Sequence, residues 1–104
     1  MITTAFDTSS CADAWDSFLA RQKTGHHEQT SAWGRAKSRM SWELCRLLAW
    51  KDDSLVAGIQ LQHRQVFAGF RVGYAPKGPA GDSLDESELR SFVAAVNDLA
   101  RKLR

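Results

Sequence analysis

The clearest periodic pattern in the chain lies near its C-terminus. Apolar side chains recur there every three or four positions, at Leu89, Phe92, Val93, Val96, Ala100 and Leu103. This spacing is typical of an amphipathic helix. Asp85 and Glu88 stand three residues apart just before the apolar run, which is the pattern of a capping box. The sequence therefore predicts a final helix that begins near Asp85.

Two further helices are predicted before residue 40. Ser10 and Asp13 resemble a capping pair, and an apolar face of Trp15, Phe18 and Leu19 follows them, with Gly25 as a plausible stop. After the polar connector "GHHEQT", Thr30 or Ser31 is a suitable cap for a second helix. We expect that helix to extend to about Arg39 and to carry Trp33, Ala36 and Met40 on one stripe.

The period then changes from helical spacing to an alternation of two. In "SWELCRLLAWKDDSLVAGIQLQHRQVF", one parity holds Trp42, Leu44, Leu48 and Trp50, broken by Arg46. A second alternating run follows the turn residues "KDDS", so the two runs predict an antiparallel hairpin. A third strand is expected after Gly69, with Phe70, Val72 and Tyr74 on one face, ending at Pro76.

These elements predict one α+β domain over residues 1–104. Its antiparallel sheet would have about three strands packed on helices, in the order helix, helix, strand, strand, strand, helix. Such a sheet looks unfinished. Either the chain is part of a larger protein, or the open sheet edge pairs with another chain, for example in a homodimer.

Composition adds few constraints. The 104 residues are 43% hydrophobic and 25% charged, with four tryptophans, which is ordinary for a globular protein. No apolar run approaches the roughly 20 residues of a transmembrane helix, and no signal peptide is evident, so we expect a cytoplasmic protein. A net charge of +2 argues against a broad nucleic-acid-binding surface. The two cysteines, Cys11 and Cys45, are expected to be reduced.

The loop "YAPKGPAGD" is the first candidate for chemistry. Two prolines stiffen the exit from the third strand, and the loop presents Lys77 and Asp82 on that rigid frame. A rigid loop loses little entropy when it binds a ligand. A simple connection between strand and helix explains the same residues equally well, because Pro/Gly loops are common.

The second candidate is "QTSAWGRAK". Lys37 lies one helical turn after Trp33, so a cation stands beside an aromatic ring, a pair that suits a phosphate with a sugar or base face. The alternative is a core tryptophan with a solvated lysine. We expect no metal site, because His26 and His27 are adjacent and point apart, and no G-x-S-x-G elbow indicates a catalytic serine.

Taken together, "QTSAWGRAK", the hairpin with "LVAGIQL" and "YAPKGPAGD" resemble the FemABX family over about residues 10 to 104. These are the aminoacyl transferases of peptidoglycan biosynthesis, also called methicillin-resistance factors. Their pattern joins a Gln-Ser helix start with Trp and a downstream Lys to Tyr-x-x-(Lys/Arg)-Gly-Pro-x-x-Asp. The chain departs from it at Thr30, where the family often has Ser.

The resemblance implies a GNAT-like acyltransferase fold, of which this chain would be the N-terminal part and inactive alone. It implies that Lys37 contacts the diphosphate of a UDP- or lipid-linked muropeptide and that Asp82 lines the acceptor site. Trp33, Tyr74 and Lys77 match the motifs and are further candidates for substrate binding. The co-substrate would be aminoacyl-tRNA, with no other cofactor, and no catalytic residue is assigned.

Two alternatives remain open. One is a GNAT-type N-acetyltransferase that uses acetyl-CoA, although the sequence contains no pyrophosphate loop of the form (Arg/Gln)-x-x-Gly-x-(Gly/Ala). The other is a non-catalytic binding module that dimerises through its open sheet edge. A basic RNA-binding module is the weakest reading, because the positive charges are scattered.

Overall fold

The computed structural model of the protein describes residues 2–8, 10–22, 27–67, 70–75, 79–81 and 84–103. The strands are β1 (Thr3–Asp7), β2 (Glu43–Lys51), β3 (Ser54–Phe67) and β4 (Phe70–Tyr74). The helices are α1 (Ala12–Ala20), α2 (Ser31–Ser38) and α3 (Glu86–Lys102), with a 3-10 turn over His27–Gln29. The four strands form one antiparallel sheet in the order β1-β2-β3-β4.

The α+β class is confirmed, and from α1 onward the elements follow the predicted order. The expected count of about three strands was too low, because β1 adds a fourth strand before the first helix. It pairs with β2 along its whole length, from Thr3 opposite Trp50 to Asp7 opposite Arg46. Four of its five residues are exposed, so its sequence lacks the buried alternation by which a strand is recognised.

The two faces of the sheet carry two separate cores. α1 covers one face, where Trp15, Phe18 and Leu19 pack with Leu48 and Ala80. α3 covers the opposite face with Phe92 and Leu99. Its apolar partners from the sheet are Cys45, Leu47, Ala49, Ala57 and Ile59. Both cysteines are free, and burial raises the pKa of the Cys45 thiol to about 11.

The helix starts follow the sequence signals at α2 and α3 but not at α1. Thr30 caps α2, and its side chain accepts a hydrogen bond from Trp33 N–H at 3.2 Å. The capping box of Asp85 and Glu88 is confirmed at the start of α3. At α1, however, Cys11 is the N-cap residue and makes no side-chain cap. The predicted cap, Ser10, donates instead to Asp7.

Several expected buried positions are exposed. On α2 the buried residues are Ser31 and Gly34, whereas the predicted stripe residues Ala36 and Met40 are exposed. Leu89 and Val93 of α3 are about half exposed, at 48% and 46%. The aromatic and aliphatic residues of β4 also remain exposed. Gly25, the proposed stop of the first helix, lies outside the described residues, and α1 ends at Ala20.

Arg46 does not break the alternation of β2, because its side chain is buried with the apolar residues of the same parity. It is 1% exposed, and its Nη1 donates to Asp7 Oδ2 at 3.1 Å. Burial by itself raises the pKa of Asp7. Hydrogen bonds from Ser10, from Arg46 and from the Cys11 N–H outweigh that effect and hold the pKa below its usual value. The strand missed in the sequence thus supplies the counter-charge of the buried arginine.

Gly58 generates the first prediction, because the Trp15 ring occupies the space beside it. A Cβ at Gly58 would lie 2.4 Å from Trp15 Cζ3 and 3.2 Å from the Leu47 carbonyl oxygen. We expect Gly58→Ala to lower the free energy of unfolding by about 1–3 kcal/mol through overpacking. Gly73→Ala on β4 is the matched control, since its nearest neighbour is a Leu61 methyl at 3.4 Å. Equal urea midpoints for the two variants would contradict this packing.

Asp7 generates a prediction on pH. Its pKa is lower in the folded than in the unfolded chain, so its stabilisation is present above the unfolded pKa of about 3.9 and is lost as the pH falls through the folded pKa. We expect Asp7→Asn to lower the free energy of unfolding by about 3–5 kcal/mol at pH 7, because Arg46 loses its counter-charge. The difference from wild type should shrink below about pH 4. Asp53→Asn, in the exposed hairpin turn, is the control; a loss in Asp7→Asn that does not vary with pH argues against the ion pair.

Candidate functional site

The beginning of α2 is held to the middle of β3 by two buried glutamines. The side chain of Gln29 donates to the Gln60 carbonyl at 3.0 Å and accepts from the Gln60 backbone N–H at 2.8 Å. Gln60 in turn donates from Nε2 to the carbonyl of Thr30, the N-cap residue, at 2.6 Å. Its Oε1 accepts from Arg46 Nε at 3.0 Å. A chain of hydrogen bonds therefore connects the buried arginine to the first turn of α2.

α1 fixes the same turn from the other side. The Asp16 carboxylate accepts from the Ser31 N–H at 2.8 Å and from the Ser31 hydroxyl. Arg35 donates to that hydroxyl at 3.1 Å, one turn later. Gly34 then lets the helix lie directly on the sheet, because a Cβ there would stand 2.7 Å from Leu44 Cδ1. α2 is thus held by contacts with α1, β2 and β3.

Lys37 and Trp33 lie together on α2, as the spacing predicts. Lys37 Nζ is 5.1 Å from the centroid of the Trp33 ring, within cation–π range. His27 approaches the same ring edge-on, with 5.6 Å between ring centroids. Trp33 Nε1 is buried, and among the described residues it has no hydrogen-bond partner. Both Trp33 and Lys37 are partly buried.

Tyr74 ends β4 on the side of the sheet that α2 covers. It is paired in register with Gln62 of β3, and Gln62 is paired with Leu44 of β2, the residue under Gly34. Residues directly opposite across antiparallel strands share a face, so the side chains of Tyr74 and Gln62 belong to this face. Tyr74 is 51% exposed and reaches solvent.

The loop after β4 returns to the edge of β3. Ala80 exchanges two backbone hydrogen bonds with Gly58, at 2.8 and 2.9 Å. The stretch from Tyr74 to Ala80 is therefore fastened to β3 at both ends, opposite Gln62 and opposite Gly58. Lys77 and Asp82 lie outside the described residues, so their expected place beside Lys37 stays a prediction.

Three residues of this face were missed in the sequence. Gln60 and Gln62 alternate with Ile59 and Leu61, which is the pattern of a strand with one solvated face, yet both glutamines are at most 1% exposed. Arg64, two residues further on, stacks its guanidinium 4.6 Å from the centroid of the Trp42 ring, just beyond α2. The alternation of polar residues along β3 was the available sequence signal. It indicates a face exposed to solvent, whereas in the structure α2 covers that face.

The other face of the sheet carries a charged cluster next to Leu44 and Gln62, on the α3 side. Glu43 accepts from Arg71 and lies 3.6 Å from His63 Nδ1. Burial lowers the pKa of His63, although the nearby Glu43 carboxylate acts in the opposite direction. In the described part of the chain no three side chains of the His, Cys, Asp and Glu types converge as metal ligands. Nor is any described helix long and apolar enough to cross a bilayer.

The model of the FemAB family matches residues 11–104, from the N-cap residue of α1 to the end of the chain. No curated protein and no solved structure matches the sequence. The match includes α2 with Trp33 and Lys37, the hairpin and the loop after β4. It supports a role in aminoacyl transfer connected with peptidoglycan. On the strength of a match over nearly its whole length, the chain belongs to the FemAB family.

Proposed function

We propose that this chain is the acceptor-binding portion of an aminoacyl transferase. The enzyme would move an amino acid from aminoacyl-tRNA to the amine of a peptidoglycan precursor stem peptide. The observation that carries the proposal is the Lys37–Trp33 pair on a firmly held α2. None of the ion pairs within the described residues involves Lys37, so its charge is available to an anionic ligand.

Lysine is a compact point charge that suits phosphate, and the indole beside it offers a flat apolar surface. A UDP- or lipid-linked muropeptide combines a diphosphate with a sugar, so it provides a partner for each group. Tyr74 is exposed on the same side of the sheet and would contact the sugar or peptide. In this proposal Lys77 and Asp82 complete the site from the loop, and Asp82 orients the acceptor amine by a charge-assisted hydrogen bond.

In the proposed reaction, the acceptor amine attacks the ester carbonyl of the aminoacyl-tRNA. The new C–N bond forms, the C–O bond to the tRNA ribose breaks, the nitrogen loses a proton and the ribose hydroxyl gains one. An ester is already activated, so positioning of the two substrates can provide much of the rate. We name no catalytic residue. Since aminoacyl-tRNA is a cytoplasmic molecule, we place the proposed reaction in the cytoplasm.

The broader architecture is also part of the proposal. We infer from the family resemblance that the chain forms the first part of a GNAT-like domain, which further sequence would complete. An acetyl-CoA-dependent N-acetyltransferase and a dimerising binding module stay alternatives, and no contact in the structure favours either. β1 and β4 are the two edge strands at which such a dimer would form.

Lys37 provides the direct test of the site. In the complete protein we expect Lys37→Ala to raise the Kd for a UDP-linked muropeptide about tenfold, because one charge-assisted contact is lost. Titration calorimetry measures this change. Lys102→Ala is the control, since Lys102 is an exposed lysine at the end of α3, on the opposite face of the sheet. Unchanged affinity in Lys37→Ala would remove this lysine from the site.

Asp82 tests the contribution of the loop. The exchange Asp82→Asn keeps the shape of the side chain and removes its charge, so it should weaken the orientation of the amine. We expect the rate of transfer of a labelled amino acid to fall at least about tenfold, while the melting temperature changes by less than about 2 °C. A parallel loss of rate and stability would indicate that Asp82 serves only the structure of the loop.

A further inference from the structure

Gln62 on β3 is a buried amide without hydrogen bonds in the described part of the chain. Its side chain is 1% exposed, and neither Nε2 nor Oε1 has a partner among the described residues. Burying an amide is unfavourable unless its donor and acceptor are paired. An unpaired buried amide lowers the stability of the protein. Such groups are expected mainly at functional sites.

The neighbouring glutamine shows that this face can satisfy a buried amide. Gln60 lies two residues earlier on the same side of β3 and is fully buried. Its Oε1 accepts from Arg46, and its Nε2 donates to the Thr30 carbonyl. The two glutamines thus have the same side chain and similar burial. Gln60 is hydrogen-bonded, whereas Gln62 has no partner among the described residues. Within the described residues, Gln62 and the indole Nε1 of Trp33 are therefore exceptions to the pairing that Gln29, Gln60 and Arg46 show on this face.

The position of Gln62 connects it to the proposed acceptor site. Gln60 lies beneath the beginning of α2, and Arg64 stacks on Trp42 just after the end of that helix. Gln62 stands between these two residues on the same face of β3 and lies in register with Tyr74 of β4. It therefore lies on the face of β3 that α2 covers, opposite the exposed Tyr74 in register.

The structure itself indicates what a glutamine amide can bind here. Gln29 uses its amide to hold both backbone groups of Gln60, a residue in an extended strand, at 2.8 and 3.0 Å. The N–H and C=O of one extended residue point the same way, so they match the donor and acceptor of a single amide. Any extended peptide presents the same pair of groups.

We propose that the Gln62 amide binds the backbone of an extended peptide, namely the stem peptide of the acceptor. This inference rests on the proposed function and adds the group that recognises the peptide, as distinct from the diphosphate that Lys37 would bind. Both amide atoms are buried, so the proposal requires that neighbouring side chains move aside when the peptide enters. The indole Nε1–H of Trp33, which has no partner among the described residues, is a further donor for the same substrate.

The proposal predicts that removal of the Gln62 amide raises the stability of the protein and weakens its binding of the peptide. Gln62→Leu removes an unpaired buried amide, so it should raise the melting temperature of the complete protein by about 2–4 °C. The same change should weaken binding of a UDP-linked muramyl pentapeptide about tenfold. Binding of UDP-muramic acid that lacks the peptide should not change. Gln62→Met, which is unbranched like glutamine, is the second variant and should behave in the same way.

Gln60→Leu is the matched control for stability. It removes an amide that is paired on both sides, so it should lower the melting temperature where Gln62→Leu raises it. In the wild type, the ¹⁵N side-chain signal of Gln62 should shift when the pentapeptide ligand is added and should stay in place with the peptide-free ligand.

The outcomes separate the two proposals. If the wild type binds neither muropeptide ligand, the proposed function fails and this inference fails with it. If the wild type binds the pentapeptide ligand and both Gln62 variants bind it equally well, only the inference is overturned. It is also overturned if both variants are less stable than wild type or fail to fold, or if they lose affinity for both ligands alike.

Discussion

The attachment of the first turn of α2 to the sheet depends on the burial of one guanidinium. Arg46 is almost fully inaccessible in the middle of β2, and a charge in such a place is stable only when it is paired and hydrogen-bonded. Asp7 pairs with it from β1, and Gln60 accepts from it on β3. Gln60 also donates to the carbonyl of Thr30. The hydrogen bonds that satisfy the buried charge of Arg46 therefore continue to the first turn of α2.

The contacts between α2 and the sheet differ in their chemistry from those between α3 and the sheet. The face under α3 is held by aliphatic and aromatic packing, with Phe92 and Leu99 at its centre. The face under α2 is held by amides, a guanidinium and carboxylates, whose directional bonds fix the helix in one place. Directional contacts suit a face that must present Lys37 and Trp33 in a defined geometry, since a ligand gains most from groups that are already positioned.

Patterns of neighbouring residues were sufficient to predict much of this architecture. They failed where contacts with residues distant in the sequence determine the structure. The capping box at Asp85, the cap at Thr30, the hairpin and the Lys37–Trp33 pair each follow from residues a few positions apart, and all were predictable. β1 was not, because its short, exposed sequence becomes a strand only through pairing with β2. The burial of Arg46 and of the β3 glutamines depends on contacts with β1 and α2. The local sequence around these residues does not show those contacts. Ser10 is a local exception, because its hydroxyl donates to the Asp7 carboxylate, three residues earlier, and does not cap α1.

The double attachment of the loop after β4 has a consequence for how such a protein can diverge. Tyr74 and Ala80 are joined to β3 by backbone hydrogen bonds, which do not depend on the identity of the side chains between them. Substitutions of the intervening residues therefore change the side chains of the loop, while its two points of attachment to β3 remain in place. Under the proposed function, single codon changes in this loop would adjust the preference for an acceptor with little risk to the sheet that supports the loop.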